Sequence, residues 1–297
     1  MKLSAALPII LGLMLAGPAA SQTTPAQRSY VATAAQYRVV SNVVYGVADG
    51  FETKLDLYLP RGQQGPRPTL IQFHGGGWVG GSKEGSSLSF LPYLEMGWAV
   101  VNVGYRLGRV GLAPAAVEDG LCALRWVIRN AEQYGIDANR LVLTGYSAGG
   151  HLSLTTGMTP ASAGLDRQCP GNEPLRVAAV VNWYGITDVG DLLDGDNMKS
   201  YAVQWMGSMP NRYEIAERVS PLTYVRAGLP PILTIHGDAD PTVPYDHALR
   251  LRDSLDRAGV PNRLHTVPGG GHGNFTVDEF QGIYEVIRGF LAEHVTR

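Results

Sequence analysis

Cysteine is scarce: Cys122 and Cys169 are the only two in 297 residues. A small scaffold stapled by several disulfides is excluded. Charge of one sign is also missing, with 24 Lys and Arg against 26 Asp and Glu and a net charge of −2. No basic block is present to hold a phosphate backbone or an anionic bilayer, so nucleic acid is not an expected partner. Beyond residue 21 no apolar run approaches the roughly 20 residues that a membrane-spanning helix needs. No histidine pair has zinc-ligand spacing, no segment repeats, and no boundary marks a second folded domain. What is left, 45% hydrophobic and 17% charged residues, suits one large α/β domain.

Residues 1–21 read as a separate unit. Lys2 supplies a positive start, Leu7 to Leu15 an apolar stretch, and Ala19-Ala20-Ser21 the small residues of a cleavage site before Gln22. This is the pattern of a secretory signal peptide, with a retained anchor as the alternative. A secreted or periplasmic protein with no stable membrane anchor is therefore expected. An oxidising compartment permits a disulfide between Cys122, on a helix, and Cys169, in a loop. Sequence leaves open whether the two meet.

Residues 22–35 read as a flexible lead-in and residues 36–297 as the folded domain. Strands are expected at 37–45, 52–59, 69–73, 98–103, 141–144, 177–183, 231–235 and 264–267. Lys54 to Leu59 alternates polar and apolar, as a half-buried strand does. Between strands, Val117, Leu121, Leu124, Ile128 and Ala131 recur at three- and four-residue spacing and predict a helix over 114–134. A second helix is expected over 246–258, and Thr276-Val-Asp-Glu279 has the form of a capping box opening a third. Strands alternating with helices imply an α/β fold with a mainly parallel central sheet and helices on both faces.

The richest segment is Gly145-Tyr146-Ser147-Ala148-Gly149-Gly150. It follows an apolar strand and opens a helix, the context in which G-x-S-x-G lifts a serine hydroxyl onto a strained turn. A serine hydroxyl is a weak nucleophile without a base, and the base needs a carboxylate to orient it. Both follow in the chain. His236-Gly-Asp-Ala-Asp240-Pro-Thr-Val-Pro244 comes after one strand and Pro268-Gly-Gly-Gly-His272-Gly273 after the next. Each would sit beyond the carboxyl end of a strand, where open parallel sheets bind ligands. These residues point to a hydrolase with Ser147 as nucleophile and His272 as base.

Together with His74-Gly75-Gly76-Gly77-Trp78, these motifs resemble α/β-hydrolase serine esterases of the hormone-sensitive-lipase-like or feruloyl-esterase-like type, over about residues 37–295. The resemblance implies the α/β-hydrolase fold with a small cap insertion, about 184–222. It implies an oxyanion hole built from the amides of Gly75, Gly76 and Ala148. The family's H-G-x-x-D-x-x-V-P pattern aligns its acid with Asp240, leaving Asp238 as a turn or surface carboxylate. Many relatives carry Asp-Tyr-Arg where this chain has Gly104-Tyr105-Arg106, which blurs the subfamily but leaves the triad intact.

The implied activity is hydrolysis of short-chain or aryl carboxylic esters, with a small-molecule ester or an acylated saccharide as substrate and no cofactor or metal. The alternatives are an amide hydrolase on the same scaffold, of prolyl-oligopeptidase or arylformamidase type, and a non-catalytic ligand-binding relative. Trp78 and Tyr146 are candidate substrate contacts. Within the cap, Tyr184, Tyr201, Trp205, Met206, Met209 and Tyr213 either line a pocket or pack the insertion on the sheet. His74 and His236 are expected to orient backbone and His151 to be a packed helix residue, while His247 and His294 belong on exposed helix faces. Asp188, Asp191, Asp194 and Asp196 lack calcium-loop spacing and read as a solvated acidic surface. Oligomeric state is not legible.

Overall fold

Eight strands pair into one sheet in the order β1-β2-β4-β3-β5-β6-β7-β8. They are β1 (Tyr37–Ala48), β2 (Phe51–Pro60), β3 (Arg67–Phe73), β4 (Ala99–Val103), β5 (Ile136–Tyr146), β6 (Ala179–Trp183), β7 (Ile232–Gly237) and β8 (Asn262–Val267). β2 pairs antiparallel with β1 and with β4, and every other pairing is parallel. This is the α/β-hydrolase fold. The computed structural model describes residues 25–62 and 65–296. The expected signal peptide and its cleavage site lie outside them. Among the described residues no helix is long and apolar enough to cross a membrane.

All residues of β4 and β6 are buried, which requires cover on both faces. Side-chain alternation divides the core accordingly. Leu70, Val100 and Val142 join one apolar cluster, whereas Ile71, Phe73, Val101 and Leu143 join the other. The helices in chain order are α1 (Pro25–Gln36), α2 (Leu91–Glu95), α3 (Ala115–Arg129), α4 (Ala131–Tyr134), α5 (Ala148–Met158), α6 (Ser200–Met206), α7 (Arg212–Arg218), α8 (Asp246–Arg257) and α9 (Val277–His294). Residues of α2 and α9 pack in the first cluster and those of α3, α5 and α8 in the second. The expected helix over 114–134 is interrupted at Asn130, which caps α3 and precedes α4. Thr276 and Glu279 do form a capping box at the start of α9.

Helix α1 occupies most of the stretch read from sequence as a flexible lead-in. It is alanine-rich, and its only proline stands at the first position, where proline disturbs no helical hydrogen bond. Cys122 on α3 is disulfide-bonded to Cys169 in the loop before β6.

β3 leads on to β4 on one side of it, and the chain then crosses to β5 on the other. Such a reversal opens a crevice at the carboxyl ends of the two diverging strands. The segment after β3 and the turn after β5 both enter this crevice.

Candidate active site

β5 ends at Tyr146, and Ser147 turns the chain into α5 with φ 57° and ψ −119°. A side chain held at such a backbone conformation costs roughly 1–3 kcal/mol and persists only where its surroundings over-determine it. Here they do. The Ser147 N–H donates to Trp183 O at 3.0 Å, and Ser147 O accepts from His151 N–H at 2.9 Å. Gly145 and Gly149 are required by close approach: a Cβ on Gly145 would lie 2.4 Å from the Gly149 carbonyl carbon, and one on Gly149 2.2 Å from Phe73 O.

The loop after β7 positions Asp240. Asp240 Oδ1 accepts from the Thr242 and Val243 amides at 2.7 and 3.0 Å, which fixes the carboxylate plane. Its Oδ2 faces His272 Nδ1 at 2.7 Å and His236 Nε2 at 3.3 Å. Burial on its own would raise the Asp240 carboxyl, but hydrogen bonds from His236, His272 and the Val243 amide outweigh it and hold the group well below the usual carboxylate range. Asp240 therefore stays ionised, and His272 presents Nδ1–H to it and keeps Nε2 free as a proton acceptor. Asp238 takes the role expected of a turn carboxylate, accepting from the Gly269 amide at 2.6 Å. His236, expected from sequence to orient backbone, is also a partner of Asp240. It is fully buried, and its Nε2–H also reaches Val243 O at 3.1 Å.

A cavity of about 380 Å³ is lined by Ser147 and His272 together with Gly76, Gly77, Tyr146, Tyr184, Tyr201 and Thr242. The Tyr184 ring lies 4.6 Å from the His272 ring, and Tyr201 Oη donates to Thr242 O at 3.1 Å. Of the cap residues singled out from sequence, only Tyr184 and Tyr201 line this cavity. Trp205 and Met206 are fully buried, and Tyr213 is exposed.

The loop after β3 brings its amides to the same cavity. Gly75 O accepts from His74 Nδ1–H at 2.8 Å, and Gly76 O accepts from the Val79 and Gly80 amides at 3.1 and 2.9 Å. In a trans peptide the C=O and the following N–H point in opposite directions. With both carbonyls held inside the loop, the N–H groups of Gly76 and Gly77 face outwards. Gly75, expected from sequence to supply an amide, does not line the cavity. A Cβ there would lie 2.9 Å from Tyr146 O and 3.7 Å from Ser147 Cβ, so Gly75 packs behind the elbow. The glycines that line the cavity, Gly76 and Gly77, are thus one residue further along than the expected Gly75 and Gly76. Ala148 heads α5, where the first N–H groups have no intrahelical acceptor and the helix dipole favours negative charge.

Trp78 departs from expectation more completely. It is fully buried and does not touch the cavity. Its indole stacks on Trp205 at 4.1 Å and donates from Nε1 to His151 Nδ1 at 3.1 Å. Tyr146, the other expected contact, does line the cavity. His247 also departs from expectation: it is buried under the insertion, accepts from the Thr187 amide at 3.0 Å, and faces Asp191 through Nε2 at 3.1 Å. Asp188 and Asp191 pair with Arg250, so half of the acidic cluster ties the insertion to α8. No cluster of metal-ligating side chains exists among the described residues.

Residues 55–255 match the BD-FAE family. LipM of Mycobacterium tuberculosis, a probable carboxylic ester hydrolase, is 33% identical over 64% of this chain and 45% of its own length. The chain spans about half the length of the curated relatives it matches. Among solved structures, a truncated carbohydrate esterase from gut microbiota superposes with a TM-score of 0.74 and 30% identity, covering 88% of this chain and 98% of the other. The butyrate-bound esterase Est2 of Thermogutta terrifontis superposes with a TM-score of 0.73 and 27% identity, covering 87% and 94%.

Proposed function

The chain belongs to the BD-FAE family, among the α/β-hydrolase esterases, and from that premise we propose that it is an exported serine carboxylesterase acting on short-chain or aryl esters. The observation that carries this is the 2.7 Å Asp240–His272 hydrogen bond beside a strained Ser147 in one cavity.

The chemistry follows from the positions. Ser147 Oγ forms a bond to the ester carbonyl carbon as its proton passes to His272 Nε2. The carbonyl electron pair moves onto oxygen, where the amides of Gly76, Gly77 and Ala148 hold it. The bond to the alcohol oxygen then breaks, and His272 returns the proton to that oxygen. Water repeats the sequence on the acyl-enzyme and releases the acid. Asp240 remains a carboxylate throughout and steadies the imidazolium.

The cavity wall carries the rings of Tyr146, Tyr184 and Tyr201 and no carboxylate, lysine or arginine. That lining suits a short acyl or aryl group in preference to a charged one. The likeness to a carbohydrate esterase favours an acylated saccharide as the natural ester. The test is a nitrophenyl ester series from acetyl to dodecanoyl, with methyl ferulate and a matched nitroanilide. Turnover should be greatest for two to four carbons or for the ferulate, and at least tenfold lower for dodecanoyl. Faster cleavage of the anilide than of its ester would replace this reading with the amide hydrolase.

Export is supported by the character of residues 1–21 and by the Cys122–Cys169 disulfide, a bond that persists in oxidising compartments. Intact mass of protein recovered from periplasm or medium should correspond to a chain starting at Gln22. Recovery only from the reducing cytoplasm, with residues 1–21 retained, would refute it.

A further inference from the structure

Ser147 and the Gly76–Gly77 amides come from different segments, and their separation must be fixed if an oxyanion is to be bound as Ser147 attacks. Beyond the backbone packing of Gly75 on the elbow, a buried side-chain hydrogen bond spans the two. Trp78 closes the glycine loop at φ 60°, a conformation rarely adopted by a bulky side chain. Its Nε1–H donates to His151 Nδ1. His151 stands one helical turn after Ser147 on α5, and its amide bonds directly to Ser147 O. The tautomer is dictated by the partners. Indole N–H only donates, so Nδ1 must be the acceptor, and Nε2 carries the hydrogen that reaches Val219 O at 2.7 Å. Both side chains are fully buried, and burial pushes the His151 imidazole down to about 3, so it stays neutral in this role.

The remaining contacts brace the same pair. Trp78 O accepts from the Gly108 amide at 2.8 Å. From α6, Trp205 stacks on the indole, and Tyr201 packs where a Cβ on Gly77 would sit, 2.7 Å from the Tyr201 Cβ. Helix α6 thus packs against the glycine loop through Trp205 and Tyr201.

On the esterase reading above, we infer that Trp78 and His151 are positioning residues: their hydrogen bond is the strut that sets the distance between the Ser147 nucleophile and the Gly76 and Gly77 amides. Neither touches the cavity, so substrate affinity should not depend on them. Oxyanion stabilisation should, because a displacement of about 1 Å in such a site costs on the order of a hundredfold.

The experiment compares Trp78→Phe, His151→Leu and His151→Gln with wild type and Ser147→Ala on nitrophenyl butyrate, together with inhibition by a trifluoromethyl ketone, whose adduct carries an oxyanion. Trp78→Phe and His151→Leu should lower kcat about 10- to 100-fold with KM within about threefold, and weaken the ketone by the same factor as kcat. His151→Gln can accept from Trp78 and donate to Val219 O, so it should recover most of the loss. Folded Trp78→Phe with unchanged kcat would overturn the strut, as would His151→Gln falling as far as His151→Leu. If Trp78→Phe does not fold, the two His151 variants decide. Wild-type turnover that survives in Ser147→Ala would instead remove the esterase reading itself.

Discussion

Ser147→Ala is expected to lower kcat for a nitrophenyl ester by about 10⁴–10⁶-fold, leaving the residual rate that binding and oxyanion contacts provide without a nucleophile. Stability should hardly change. Alanine keeps the φ of 57°, and the two backbone bonds of residue 147, to Trp183 O and from His151 N–H, involve no side-chain atom. Ser147→Gly makes the complementary case. Glycine adopts positive φ without the Cβ penalty, so this variant should be as inactive as the alanine but more stable by about 1 kcal/mol, once the entropy glycine loses on folding is deducted. Denaturant titration and turnover on the same three samples measure both quantities. A glycine variant less stable than the alanine variant would mean that the elbow stores no strain. Retention of a tenth of the activity in either variant would place the nucleophile elsewhere.

What sequence reveals here and what it hides divide along a physical line. All eight strands are legible, because each is an apolar or alternating run bounded by turn residues, and most edges fall within two or three residues of those expected; β5 begins five residues early, at Ile136. Strand order is not legible: nothing local in β4 says that it pairs between β2 and β3. That Ser147, Asp240 and His272 come together is readable, because each stands in a fixed local context just after a strand. The amides are harder. Any of three consecutive glycines satisfies the pattern, and only the donors that engage the Gly75 and Gly76 carbonyls decide which N–H groups turn outwards. Trp78 beside those glycines suggests a pocket wall, yet its partners, Trp205 and His151, lie 127 and 73 residues away in sequence. His247 misleads for the same reason, since the insertion that buries it is remote in the chain. His236 carried a usable signal. It stands at the end of β7, four residues before Asp240 in the following turn, close enough to meet the carboxylate.

Asp240→Asn tests the acid and should be the most informative conservative change. The two backbone donors decide how the amide sits. Thr242 N–H and Val243 N–H both point at Oδ1, so the asparagine carbonyl oxygen must take that position to keep the 2.7 and 3.0 Å bonds. Its NH₂ is then forced onto the site of Oδ2, facing His272 Nδ1 and His236 Nε2. A donor facing His272 Nδ1 selects the tautomer that carries hydrogen on Nε2. That is the wrong nitrogen: Nε2 can no longer take the Ser147 proton, and the carboxylate that steadied the imidazolium is gone. The expected result is a fall of about 10⁴-fold in kcat with KM little changed. Asp238→Asn, whose carboxylate bonds only the Gly269 amide in an exposed turn, should stay within about threefold of wild type. Stability separates the two as well. His236 Nε2–H retains Val243 O as an acceptor but loses its charged partner, so Asp240→Asn should cost about 1–3 kcal/mol. That contribution belongs to an ionised Asp240 whose carboxyl is held down by folding. It is present above the ordinary carboxylate range and vanishes as pH falls through the lowered folded value. The stability gap between wild type and Asp240→Asn should therefore close on acidification, not on alkalinisation. A gap that widened below pH 4, or an Asp240→Asn enzyme within tenfold of wild type while Asp238→Asn failed, would transfer the acid's role to Asp238.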